Sequence, residues 1–203
     1  MQFCGPLEGK EAFCGEVDIR NFLQGYKRRW AHKGCAKRLP ITTGMLTRLL
    51  EQIPVSVPRE SRGEVGLAYL LGYMGLLRCS EVYHLRWEDI CVRVTLVFIF
   101  VRKSKTDPLK QGQLVQLESH QLPSQVRDWF ARFEHVEGPV FKRSSPVLWR
   151  AVIQAVYSSP ELAFHSLRHD EASEMWRVGD QIEKNIEMGR WKSKSACMGY
   201  LHW

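Results

Sequence analysis

The chain predicts a mixed α/β, mainly α-helical domain with a small antiparallel β-hairpin, and three stretches carry that prediction. Gly63 to Leu77 (GEVGLAYLLGYMGLL) is nearly all apolar at helix length, the pattern of a buried helix. Val92 to Lys103 (VRVTLVFIFVRK) is β-branched and aromatic, more continuous than alternating, and reads as a strand. Thr106 to Gly112 supplies a turn, and Gln113 to Leu117 returns as its partner. Phe164 to Trp203 is short and mostly helical, and into it are packed His165, Arg168, Arg190, Trp191 and Tyr200.

Composition narrows the function classes. The 203 residues suffice for one large domain, or one domain plus part of a second, and 44% hydrophobic with 25% charged residues argues against overall disorder. The balance is basic, 29 Lys+Arg against 22 Asp+Glu, a weak pointer to polyanions whose distribution says more. No acid lies between Asp18 and Glu51, while Arg20, Lys27, Arg28, Arg29, Lys33, Lys37, Arg38 and Arg48 fall in that gap with Tyr26 and Trp30 among them, as on a surface that grips a phosphate backbone. Six cysteines lie far apart with no C-x-x-C pair, which predicts reduced thiols in a cytoplasmic or nuclear protein and no zinc knuckle. No apolar run reaches the roughly 18 residues of a membrane helix, and MQFCGPLEGKEAF lacks the layout of a secretory signal.

In chain order, residues 1 to about 25 carry Phe3, Phe13, Phe22 and Leu23 without a complete apolar face, like the tail of something larger. Thr42 or Thr43 caps a helix striped by Met45, Leu46, Leu49, Leu50 and Ile53. Pro54 and Pro58 break the chain before the buried helix, whose Gly72 and Gly75 allow a turn ahead of Arg78, and Ser80 can cap the short helix SEVYHL. After the hairpin, LPSQVRDWFARFEHV places Val126, Trp129, Phe130 and Phe133 on one side of a helix, and SPVLWRAVIQAVYS does so with Val147, Ile153 and Val156. Val140 to Tyr157 holds Lys142, Arg143 and Arg150 and no acid, a candidate second phosphate-contacting surface.

A side chain that attacks a phosphodiester needs a nucleophile, a proton acceptor and cations to balance charge on phosphorus. The C-terminal segment holds these types, and His165 and Arg168, three apart, project from one face if helical. H-x-L-R-H, then G-R-W-x-S with Trp191 23 residues after Arg168, then Tyr200 nine residues on, resembles the catalytic region of the tyrosine recombinase (phage integrase) family. G-L-L-R-C-S-E followed by L-R-W-E-D-I resembles that family's first arginine motif, with Arg78 the matching clamp and Glu81 its acidic position, and KSKT resembles its hairpin lysine, with Lys105 the match and Lys103 the runner-up. The wording G-R-W-K-S is more similar to eukaryotic mobile-element branches (Crypton-like, DIRS-like) than to bacterial resolvases.

The resemblance implies the tyrosine recombinase catalytic fold over residues 39–203, with 1–38 the remnant of a DNA-gripping domain plus its basic linker; a basic disordered arm is the open alternative for that stretch. It implies double-stranded DNA as partner, a homo-oligomer (a tetramer on paired sites), and neither metal nor ATP. Tyr200 would attack the scissile phosphorus, Arg78 and Arg168 would clamp its oxygens, His165 would take the tyrosine proton, Lys105 would protonate the leaving 5′-oxygen, and Trp191 would donate its indole N–H. Glu81 and His169 would support these groups, and Lys27, Arg28, Arg29, Lys103, Lys142, Arg143 and Arg190 would touch DNA, Arg190 as a surface cation. Asp170 departs from the pattern; an acid there tunes His165 or competes for Arg168. Two rivals stay open: a recombinase-derived DNA-binding protein without cleavage, favoured by Asp170 and by the sequence ending three residues after Tyr200, and a type IB topoisomerase-like enzyme.

Overall fold

The computed structural model describes residues 39–104, 107, 111–118, 126–127, 130, 136–177 and 182–201. The expectations for residues 1–38, with Lys27, Arg28 and Arg29, those for Lys105, and most of the helix expected from Leu122, with Trp129 and Phe133, lie outside the described residues.

α1 (Thr43–Glu51) starts where the Thr42 hydroxyl accepts from the Met45 amide at 3.3 Å, satisfying one of the free amides of a helix start, and it buries Leu46 and Leu49. α2 (Arg59–Met74) begins after Pro58, earlier than the apolar run suggests, and buries Val65, Leu67, Ala68, Tyr69, Leu70 and Leu71. Gly72 does not loosen its end: a Cβ there would come within 2.7 Å of the Phe164 ring, so the glycine admits the close approach of the C-terminal helices. The left-handed residue of the following turn is Leu76 (φ 47), not Gly75. α3 (Cys79–Tyr83) takes Arg78 as its N-cap, with the Glu81 carboxylate accepting the Arg78 amide at 2.8 Å; Ser80 lies inside the helix and is not its cap.

Of the expected strand from Val92 to Lys103, Leu96–Val101 is a strand, and Val92 ends a shorter strand that precedes it. β1 (Ile90–Val92) pairs antiparallel with β2 (Leu96–Val101), Ile90 opposite Ile99, and β2 pairs antiparallel with β3 (Gln113–Glu118), Val97 opposite Leu117, in the order β1-β2-β3. Val97, Ile99, Val101, Val115 and Leu117 face the core, while Phe100 and Leu114 stay exposed on the other face. The alternation is real, but apolar residues on both faces hide it in the sequence.

α4 (Pro146–Tyr157) is capped by the Ser145 hydroxyl and buries Trp149, Val152 and Ile153; Val147, expected in its stripe, is 79% exposed. Trp149 is fully buried, donates its indole N–H to Ser144 Oγ at 3.1 Å, and packs edge-on to Phe141 and tilted on Phe164. α5 (Ser166–Arg177), α6 (Ile182–Gly189) and α7 (Lys194–Met198) complete the order. α5 packs along α2 and α6 packs against both α5 and α7. The main core runs from Ile41 to Leu167, and a smaller one gathers Leu76, Ala172, Met175, Ile182, Trp191, Cys197 and Leu201. Among the described residues no helix is long and apolar enough to cross a membrane, and no group of three His, Cys, Asp or Glu could hold a metal ion.

Candidate active site

The turn after α2, the start of α5 and the link from α6 to α7 converge on one cluster. Arg78 leaves the turn with its side chain 15% exposed and donates Nη1 to Glu81 Oε1 at 2.7 Å and to Ser104 Oγ at 3.0 Å. Ser104 in turn donates to the same Glu81 oxygen at 2.7 Å, so the end of the hairpin is tied to the arginine. Glu81 is buried, and its Oε2 accepts from Arg190 Nη2 at 2.7 Å. Burial alone would raise the Glu81 pKa, but the Arg190 guanidinium, the Arg78 amide, the Ser104 hydroxyl and the Arg78 guanidinium together push it down to about 2.

Arg168, on α5, is 0% exposed. Its Nη1 donates to the Leu76 carbonyl and its Nη2 to the Gly189 carbonyl at 2.9 Å, while the guanidinium carbon lies 5.3 Å from the Trp191 ring and 5.6 Å from that of Tyr200. Burial, then the Arg78 and Arg190 cations, press its pKa below the usual arginine value. Three guanidinium groups thus gather around one carboxylate, a locally positive interior suited to an anion. Buried N–H donors without an acceptor among the described residues occur in this same cluster: Arg168 Nε, Arg190 Nε and Trp191 Nε1.

His165 precedes α5 by one residue, so it and Arg168 do not share a helix face as expected. They meet at Tyr200 instead: His165 Nε2 lies 2.7 Å from the Tyr200 hydroxyl, and Arg168 faces the same ring. His169 stacks on that ring at 4.6 Å, with Nδ1 3.2 Å from the Tyr200 carbonyl oxygen, and Trp191 tilts against it at 5.0 Å. Asp170 does not take up Arg168. Its Oδ2 accepts from the Tyr73 hydroxyl at 2.8 Å, and that hydroxyl lies 2.8 Å from Thr43 Oγ1, a polar link between α1, α2 and α5.

The structure therefore brings together Arg78, Glu81, His165, Arg168, His169, Arg190, Trp191 and Tyr200. Arg190 needs correction. It is 7% exposed and bound to Glu81, so a surface cation in contact with DNA is not what it is. Lys103 and Lys142 are exposed and line, with Glu81, His84, Arg86 and Arg102, a groove of about 590 Å³ beside the cluster. Arg143 lines a separate groove with Lys142, Arg59 and Glu64. Sequence reasoning missed Ser104, whose signal lay inside KSKT, and the pairing of Arg190 with Glu81.

No family model and no curated protein sequence matches the chain. Solved structures do. The post-cleavage complex of the XerH site-specific recombinase bound to palindromic difH substrate superposes with a TM-score of 0.63 at 15% identity over 84% of this chain and 51% of that one. The XerA recombinase gives 0.60 at 15% over 94% and 72%, and the catalytic domain of bacteriophage HP1 integrase 0.56 at 19% over 80% and 86%. These neighbours are tyrosine recombinases and integrases, and the fold of this chain is that of their catalytic domain. The chain spans about half the length of the XerH chain.

Proposed function

We propose that this chain is the strand-cleaving domain of a site-specific tyrosine recombinase acting on double-stranded DNA. The observation that carries the reading is the Tyr200 hydroxyl 2.7 Å from His165 Nε2, with the ring laid against the Arg168 guanidinium: a nucleophile, a proton acceptor and a cation in one contact set. His165 takes the phenolic proton as the Tyr200 oxygen bonds to phosphorus. The bond from phosphorus to the 5′-oxygen breaks, and Lys105 supplies that oxygen's proton. Arg78 and Arg168 hold the non-bridging oxygens as charge accumulates, and loss of one such donor typically costs about 2.7–4 kcal/mol of barrier. The 3′-phosphotyrosyl bond conserves the energy of the broken bond, so a second strand's 5′-hydroxyl rejoins it without ATP or metal. Lys103 and Lys142, in the groove beside Glu81, touch flanking phosphates. Exchange between paired sites is carried out by a homo-oligomer, a tetramer on two duplexes.

A second reading, a DNA-binding protein that does not cleave, is favoured by one observation: Arg168 is fully buried and both its Nη groups are taken by backbone carbonyls. Both readings meet the same test. Nicked suicide duplexes are selected from a randomised pool on the wild-type chain and incubated with it in EDTA. A denaturation-resistant protein–DNA adduct that Tyr200→Phe abolishes while binding persists is the expected result. Binding without any adduct selects the non-cleaving reading.

A further inference from the structure

Two residues in the cluster hold left-handed backbone conformations without being glycine, Leu76 (φ 47) and Arg190 (φ 54), and they touch each other. The Leu76 carbonyl accepts from Arg168 Nη1 and, at 3.1 Å, from Arg190 Nη2. That same Arg190 nitrogen donates to Glu81 Oε2 at 2.7 Å, and Glu81 Oε1 is the partner of Arg78. Arg190 is thus the side chain through which the Arg78 half of the site meets the Arg168 half. Non-glycine residues in this region cost of order 1 kcal/mol or more and persist where surrounding contacts over-determine them, which happens most at functional sites.

We infer that Arg190 is a positioning residue for strand cleavage: it holds Arg78 and Arg168 in register on the scissile phosphate. The inference rests on the function proposed above. Glu81 carries a single negative charge. Were both its oxygens free for Arg78, the carboxylate would draw that guanidinium into a closed two-point ion pair, the geometry arginine and carboxylate prefer. Arg190 Nη2 and the Arg78 backbone amide share Oε2, and the Arg78 guanidinium meets the carboxylate through Nη1 at Oε1 only. On the other side Arg190 shares the Leu76 carbonyl with Arg168, which fixes the spacing of the two clamps through one backbone atom. The Arg190 guanidinium is held by Glu81 and by the Leu76 carbonyl, and it acts through these neighbours.

The test uses the full chain and the nicked duplexes selected on wild type, under single turnover. Arg190→Gly is the informative variant, because glycine is at ease at φ 54 and the turn should survive the loss of the side chain. Cleavage should fall by about 10²-fold, the scale of a clamp displaced by roughly an ångström, while duplex affinity changes by less than about twofold. Arg190→Lys, which keeps the charge on Glu81, and added ethylguanidinium with Arg190→Gly should each restore part of the rate. Unchanged cleavage in Arg190→Gly overturns the inference. So does a loss that neither lysine nor free guanidinium repairs, since that is the mark of a merely structural arginine. Failure of wild type to form any adduct overturns the proposed function first, and this inference with it.

Discussion

At the scale of single residues, the site depends on how closely rings and glycines approach. A Cβ on Gly189 would stand 1.9 Å from a Trp191 ring carbon, and Trp191 in turn rests against Tyr200. Gly189→Ala must therefore move the indole or the backbone, and we expect it to lower stability by about 1–3 kcal/mol, the usual cost of overpacking. Gly63, exposed in α2 with nothing near its missing Cβ, is the control: Gly63→Ala should raise stability by about 0.5–1 kcal/mol. Urea titration of both variants separates the two signs, and equal effects would refute the packing argument. Arg190 shows why such residues escape sequence reading. An arginine between a helix end and a tryptophan reads as a surface cation, and only Glu81, 109 positions away, makes it a buried one. His165, Arg168, Trp191 and Tyr200 form a pattern by order and spacing, and His165 was expected beside the Tyr200 hydroxyl; the pairing of Arg190 with Glu81 was not legible.

At the scale of elements, legibility follows the strength of the local signal. α1 was readable from Thr42 and the spacing of Leu46 and Leu49, and its cap is as expected. The β1–β2 turn was not, because Ile90 to Val101 is apolar on both faces of the sheet and period two disappears under continuous hydrophobicity. Nor was the centre of α4. The expected stripe held the buried Ile153 and Val156, which packs on the core, but also the exposed Val147, and it left out Trp149, the residue that Phe141, Phe164 and Tyr83 surround. Because Trp149 is fully buried and its indole N–H donates to Ser144 Oγ at 3.1 Å, Trp149→Ala should cost about 3–5 kcal/mol, whereas Val147→Ala should stay within about 0.5 kcal/mol. Comparable losses from the two substitutions would mean that α4 packs through its other face.

For the whole molecule, the buried charges couple folding to acidity. Glu81 has its folded pKa pushed down to about 2 from the usual value near 4.5, so the unfolded chain takes up its proton first as pH falls. Its contribution to stability is complete above about 4.5 and is lost progressively down to about 2. The stability difference between wild type and Glu81→Gln, followed by denaturant unfolding, should hold steady near neutrality and shrink across that interval; a difference independent of pH would mean that Glu81 is not ion-paired in solution. The claim on which the functional account stands is that Tyr200 is the nucleophile, and locating the covalent bond tests it most directly. Proteolysis of the trapped protein–DNA adduct followed by mass spectrometry should find the 3′-phosphonucleotide on a peptide containing Tyr200, with fragmentation assigning it to that phenolic oxygen. A nucleotide carried by Tyr83, by a serine or by any other side chain would contradict the account.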